Sequence, residues 1–364
     1  MDQFDSVVQL LDSKGSAVVD SEFTSVLSDS ELLGFYRDMV LVRTLDEQAT
    51  ALQRQGELGL WAPLLGQEAA QIGSARAMQK QDFAFSTYRE HGVAWCRGVD
   101  PVDMLRFWRG TMHQGWDANH YRLYGYQIII GAHSLHATGY AMGAKQAGRV
   151  GTGEAGKDQA VVAYFGDGAM SEGDVNEAFV FAASYQAPVV FFCQNNQWAI
   201  SEPTKRQSRV PLAQRAIGFG IPGVRVDGND VIACHVVMEQ ALARARSGGG
   251  PTLIEAVTYR MGAHTTSDDP TKYQLFSDVE LWRERDPIER LKIYLQTKGV
   301  LNQKIESDLA DEATALAQRM RDECRKLPDP TAISMFDHVY AAPDENLEKQ
   351  RNEVSSIIAQ SREI

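Results

Sequence analysis

The stretch Phe165-Gly166-Asp167-Gly168-Ala169-Met170-Ser171-Glu172-Gly173, answered downstream by Gln194-Asn195-Asn196, decides the fold of this chain. An apolar run from Ala160 to Phe165 ends in Gly-Asp-Gly, a helical stretch follows, and a second apolar run, Pro188 to Cys193, ends in Asn-Asn. Short apolar runs bounded by turn residues read as buried strands, so the spacing predicts one strand–helix–strand unit with parallel strands. Val175, Ala178, Phe179, Ala182 and Ala183 recur at helical spacing and give the intervening helix one apolar face. Ser171 and Asp174 have the spacing of a capping box, which predicts a helix start near Glu172 with its amino end toward a bound anion.

An acid and an amide then stand at the carboxyl ends of neighbouring strands, where open α/β sheets hold their ligands. Magnesium takes oxygen ligands in octahedral geometry, commonly a few from protein with phosphate oxygens and water completing the set. Asp167 offers a carboxylate, Asn196 an amide oxygen, and the turn after it a main-chain carbonyl, that of Trp198. Gly166 and Gly168 are expected to let the backbone approach a bulky anion such as a diphosphate.

Gly166 to Asn196 resembles the thiamin-diphosphate fingerprint, and nearly the whole chain resembles the α subunit of a heteromeric 2-oxo acid dehydrogenase E1 component. Three further stretches carry that resemblance: Gly66-Gln67-Glu68-Ala69-Ala70, Tyr88-Arg89-Glu90-His91-Gly92, and Tyr259 to Asp269, with His264, Thr265, Thr266 and Ser267-Asp268-Asp269. The last is most similar to the branched-chain 2-oxo acid dehydrogenase subgroup. The resemblance implies a thiamin-diphosphate-binding α/β fold, a parallel sheet with helices on both faces and helical extensions at both ends.

It also implies an activity: oxidative decarboxylation of 2-oxo acids and reductive acylation of the lipoyl group of an E2 acyltransferase. Thiamin diphosphate and Mg2+ are the implied cofactors. A β subunit would complete an α2β2 heterotetramer and supply a glutamate to the cofactor. Pyruvate dehydrogenase and acetoin-cleaving α subunits are the neighbouring readings, and a non-catalytic phosphate- or nucleotide-binding module is the reading from another class.

Site residues follow by position. Asp167, Asn196 and Trp198 are expected at the metal. Tyr88, Arg89, Ser134, Gly166, Asp167, Gly168, Ala169, Asn196 and His264 are expected at the cofactor, with Arg89 suited to phosphate oxygens through its planar fork. His264 is the expected catalytic residue, a group titrating near neutrality for proton transfer. Leu60, Trp61 and Tyr88 are expected to line the pocket for the substrate side chain, and Arg260 and Asp268 to order the loop by ion pairing. His133 and His136 lack the companions that a zinc site would need.

The 364 residues are 44% hydrophobic, enough for a substantial core, and the net charge of −12 argues against nucleic acid or an anionic membrane as the main partner. Cys96, Cys193, Cys234 and Cys324 are scattered without metal-ligand spacing. Reduced thiols and an amino terminus without a targeting pattern lead to a cytoplasmic expectation.

The expected organisation is an arm over residues 1–28 lying on a partner, an α/β domain over 29–330, and a polar tail over 331–364. Helices are expected over Ser28 to Gln55, Gln67 to Gln79, Pro101 to Met112, Gly139 to Lys145, Val231 to Arg246 and Leu301 to Arg325. Further strands are expected over Gly223 to Val226 and Thr252 to Thr258, with a long polar loop over 260–277.

Overall fold

A computed structural model describes residues 7–20, 22–112 and 114–361. In chain order the elements are α1 (Asp29–Arg54), α2 (Glu68–Arg76), β1 (Phe83–Phe85), α3 (His91–Cys96), α4 (Pro101–Arg109), α5 (Ala118–Tyr121) and α6 (Ala132–Gln146). Next come β2 (Val161–Gly166), α7 (Gly173–Tyr185), β3 (Val189–Asn195), the short β4 (Trp198–Ala199) and β5 (Glu202–Pro203), and α8 (Thr204–Gln207). The chain continues with β6 (Gly223–Asp227), α9 (Val231–Arg246), β7 (Thr252–Val257), α10 (Phe276–Arg283), α11 (Pro287–Thr297), α12 (Gln303–Cys324) and α13 (Glu345–Ser361).

Five strands form one parallel sheet in the order β1-β2-β3-β7-β6. Their side chains alternate between two cores. Val162, Tyr164, Val190, Phe192 and Ile254 face the layer that holds α1, α2 and α9. Val161, Ala163, Phe165, Val189, Phe191, Cys193 and Leu253 face the layer of α6 and α7. Burial on both faces is why β2 and β3 read as unbroken apolar runs. In register, Gly166 stands opposite Gln194, which puts Asp167 and Asn196 just beyond the same end of two adjacent strands.

α1 starts where its sequence dictates. Ser28 accepts from the Glu31 N–H, and the Glu31 carboxylate accepts from the Ser28 N–H at 2.8 Å, a reciprocal cap. The expected box at Ser171 and Asp174 does not form. A 3-10 turn, Asp167–Ser171, intervenes between β2 and α7, and Glu172 caps α7 without a side-chain bond. That turn, not the end of α7, adjoins the strand end.

The described part of the amino-terminal arm lies on its own chain. Val8 bridges Val226 at the edge of the sheet, and Leu10, Leu11 and Phe23 are buried in the core. Within 331–361 the tail contains α13, and within 260–277 a 3-10 turn at Pro270–Lys272 and the start of α10 replace part of the expected loop. α6 begins at Ala132, a full two turns before the expected start at Gly139. No helix among the described residues is long and apolar enough to cross a membrane.

Candidate functional site

A cavity of about 310 Å³ opens at the carboxyl ends of β2 and β3. Tyr88, Arg89, Gly166, Asp167, Gly168, Ala169, Asn196, Trp198 and His264 all line it, so most of the expected site residues converge there. Gln67, Glu90 and Gln194 complete its inner wall.

Asp167 is buried, and its two oxygens are treated differently. Oδ2 accepts from Thr204 Oγ1 at 2.6 Å and from Gln207 Nε2 at 3.2 Å. Oδ1 is shielded from solvent and has no hydrogen-bond partner among the described residues. Burial pushes the Asp167 carboxyl above its usual range, with the Thr204 bond opposing the rise. A buried, half-satisfied carboxylate is costly unless something else neutralises it. Asn196 donates from Nδ2 to Gln67 Oε1 at 2.8 Å, and its Oδ1 accepts from the Trp198 N–H at 3.1 Å. The Trp198 carbonyl accepts from Arg260 Nη1 at 3.1 Å, which leaves it a second lone pair. Carboxylate, amide and carbonyl oxygens form the hard donor set that magnesium-like cations take.

Arg89 comes from the turn before α3 and holds the opposite side. It donates to the Pro63 carbonyl through Nη1. Through Nη2 it donates to the His264 carbonyl at 2.8 Å and lies 3.1 Å from His264 Nδ1. A guanidinium only donates, so Nδ1 accepts and the neutral ring carries its proton on Nε2. His264 departs from the expected near-neutral titration. Burial first, then the charges of Arg89 and Arg260, lower it to about 3. Tyr88 presents its ring edge-on to the imidazole, with centroids 6.0 Å apart.

The His264 loop is ordered by a chain of bonds. The His264 N–H donates to Asp268 Oδ2 at 2.7 Å, the Tyr273 hydroxyl donates to the same oxygen, and Arg260 Nη2 donates to Tyr273 at 2.7 Å. Arg260 and Asp268 therefore act together through Tyr273, in place of the expected direct ion pair.

Three expected residues stand apart from the cavity. Ser134 is buried in the first turn of α6, its N–H donating to the Gly131 carbonyl at 3.0 Å and its carbonyl accepting from Thr138 Oγ1 at 2.9 Å. Helix formation commits those main-chain groups, and Ile130 reaches the cavity from this segment. Trp61 is fully buried, stacked on His91 at 4.0 Å, with Nε1 donating to Asp46 Oδ1 at 2.7 Å. Its backbone, exchanging bonds with Thr266 at 2.9 and 3.1 Å, carries the His264 loop. Leu60 precedes it and packs half-buried against the core.

Gly168 is required by packing. A Cβ there would lie 2.8 Å from Ala199 Cβ. Gly166 is different: among the described residues beyond its chain neighbours nothing lies within 4 Å of such a Cβ, so this glycine leaves open room in the cavity wall.

Glu90, Gln194, Thr204 and Gln207 also belong to the site. Thr87 Oγ1 and Gln194 Nε2 donate to the Glu90 carboxylate at 2.5 and 2.8 Å, and burial pushes that carboxyl upward. Glu90 lies inside a motif that flagged its neighbours, whereas Thr204 and Gln207 sit in a polar, basic stretch with no spacing signal.

Residues 36–332 match the family described as dehydrogenase E1 component. The chain is 44% identical over 355 residues to a 3-methyl-2-oxobutanoate dehydrogenase subunit alpha from Mycobacterium tuberculosis, covering 97% of this chain and 95% of the relative. It is 36% identical over 346 residues to pyruvate dehydrogenase E1 component subunits alpha from Staphylococcus epidermidis and Staphylococcus aureus, covering 94% of this chain and 91% of each relative.

Proposed function

The chain belongs to the dehydrogenase E1 component family, and from that premise we propose that it is the α subunit of a branched-chain 2-oxo acid dehydrogenase. Thiamin diphosphate supplies the reactive carbon and the electron sink that let a 2-oxo acid lose carbon dioxide. Mg2+ would sit among Asp167, Asn196 and the Trp198 carbonyl. One observation carries this assignment: a buried carboxylate oxygen, Asp167 Oδ1, has no hydrogen-bond partner among the described residues, in a cavity lined by an amide and a carbonyl suited to the same cation.

The residues of this chain bind and orient. Arg89 offers guanidinium N–H groups to phosphate oxygens and fixes the His264 ring through Nδ1. His264 then presents an Nε2–H, a neutral hydrogen-bond donor beside the anion site, and orients the reacting group there. Tyr88 packs against that ring at the substrate end. Leu60 and Trp61 do not line this cavity, and their place at the substrate side chain stays an expectation for the site completed by the β subunit.

The proposal extends to a β subunit that supplies the rest of the cofactor site in an α2β2 assembly, and to a lipoylated E2 that accepts the acyl group. Cys96, Cys193, Cys234 and Cys324 are unpaired, which supports cytoplasmic residence. The α/β domain with amino- and carboxyl-terminal extensions is the unit expected to assemble.

The experiment reconstitutes the α–β complex and compares decarboxylation of 3-methyl-2-oxobutanoate and pyruvate, with and without Mg2+ and thiamin diphosphate. The expected result is a metal- and cofactor-dependent reaction that favours the branched substrate, and no reaction from this polypeptide alone. Preference for pyruvate would move the chain to the second reading, which the staphylococcal relatives favour. Binding of a nucleotide in place of thiamin diphosphate would end the enzyme assignment.

A further inference from the structure

The inner wall of the cavity is a relay of side-chain amides whose orientation is fixed by main-chain groups. The Gly92 N–H can only donate, so the Gln71 atom 2.8 Å away is the amide oxygen. The Gln71 amino group then donates to the Arg89 carbonyl at 3.0 Å and to Gln194 at 3.1 Å, which makes the Gln194 atom its oxygen. Gln67 reaches that same oxygen at 2.9 Å and therefore does so with its own amino group. Its remaining oxygen accepts from Asn196 Nδ2 at 2.8 Å. Asn196 is thereby left with its oxygen unclaimed by the relay, and the Trp198 N–H at 3.1 Å from that oxygen agrees with the assignment.

Asp167 is handled in the same way from the other side. Thr204 and Gln207, one turn apart in α8, both donate to Oδ2. One carboxylate oxygen is saturated and the other is left bare. Each proposed side-chain ligand thus has one face engaged by a neutral group and one oxygen kept available.

We propose that Gln67 and Thr204 are positioning residues for the cation site, Gln67 selecting the amide oxygen of Asn196 and Thr204 fixing the free oxygen of Asp167. The inference rests on the functional reading above and deepens it. Neither residue touches the reacting atoms. Their effect is to determine which atoms the metal meets, the role that partners of metal ligands commonly play.

The test uses the reconstituted α–β complex with saturating thiamin diphosphate, titrated with Mn2+ and followed by the electron paramagnetic resonance signal of the free ion. Gln67→Met and Thr204→Val are expected to raise the Mn2+ Kd about tenfold, within the range seen when such partners are removed. Gln67→Glu, held as the neutral acid by burial, keeps an acceptor for Asn196 Nδ2 and an O–H donor for Gln194 Oε1, and Thr204→Ser keeps the hydroxyl, so both are expected to stay within about threefold of wild type. Wild-type affinity in Gln67→Met and Thr204→Val overturns the inference. So does an equal loss in the conservative pair, which would indicate a merely structural role. A wild-type complex that binds no Mn2+ overturns the functional reading itself, and this inference with it.

Discussion

Arg89 Nη2 lies 3.1 Å from Nδ1 of His264 and 2.8 Å from the carbonyl oxygen of the same residue, so one guanidinium nitrogen fixes both the ring and the backbone that carries it. Burial first, and this contact after it, keeps the ring neutral, because a cation at Nδ1 opposes protonation there. In the cofactor-free α–β complex, 15N-labelled His264 is expected to stay neutral, with the proton on Nε2, from pH 5 to 8. Nuclear magnetic resonance of the ring nitrogens checks this, and an imidazolium signal near pH 6.5 would refute it. Arg89→Gln removes a positive neighbour and should raise the His264 pKa. The rise should be partial, since burial is the larger cause. Arg89→Lys cannot bridge Pro63 and His264 at once, and is expected to weaken thiamin diphosphate binding by about tenfold or more in calorimetry.

Asp167 should trade stability for function. Its buried carboxylate has one unsatisfied oxygen, and burial holds its pKa up. Asp167→Asn keeps an acceptor for Thr204 and removes the buried charge. Thermal unfolding of the metal-free complex is expected to shift upward by about 1–2 °C, roughly the effect of 1 kcal/mol in a chain of 364 residues. Mg2+-dependent binding of thiamin diphosphate should fall by about a hundredfold. A variant that unfolds earlier and still binds the cofactor would contradict both halves of this argument.

Asp46 gives the chain a pH-dependent stability that the mechanism does not use. It is fully buried, accepts from Trp61 Nε1 at 2.7 Å and from the Leu64 N–H at 3.1 Å, and is pushed up to about 7, chiefly by burial. An unfolded aspartate titrates near 3.9. Below pH 4 both states hold the proton. Between pH 4 and 7 only the folded state does, so this group's contribution to stability is lost as pH rises through that window. Asp46→Asn keeps the acceptor oxygen and removes the titration. Its Tm relative to wild type should therefore rise between pH 5 and 8 by a few degrees, read by calorimetry. A difference independent of pH would mean that Asp46 is ionised in the fold at both values.

The strand pair β2–β3 was legible because both faces are buried, which writes an apolar run into the sequence, and because Gly-Asp-Gly and Asn-Asn mark matching ends. β1 was not, since three residues carry no period. Ser134 stands apart from the cavity for a different reason: whether a main-chain group is free depends on where a helix starts, and α6 starts earlier than its small residues indicate. Trp61 matched by position, yet its ring turns inward onto His91 and Asp46. Thr204 and Gln207 reach Asp167 only because β4 and β5 fold the chain back, a tertiary event with no local signature. The Arg260–Asp268 link passes through Tyr273, and charge pattern alone cannot show an intermediary hydroxyl.

Gly166 offers the cleanest separation of fold from ligand. Its φ of −87° and ψ of 169° suit any residue, and an added Cβ meets no atom within 4 Å among the described residues beyond its chain neighbours. Neither backbone conformation nor packing therefore explains glycine at this position, where the chain lines the cavity beside Asp167. Gly166→Ala should leave Tm unchanged or slightly raised, because alanine narrows the unfolded ensemble without strain in the fold. The same methyl would occupy ligand space, so thiamin diphosphate affinity in the α–β complex should fall by about tenfold. Gly168→Ala is the contrasting control. Its Cβ would collide with Ala199 at 2.8 Å, so it should lower Tm by several degrees with or without cofactor. If Gly166→Ala binds the cofactor as wild type does, the room beside Asp167 is not where the diphosphate lies, and the metal site would have to be reassigned to another face of the cavity.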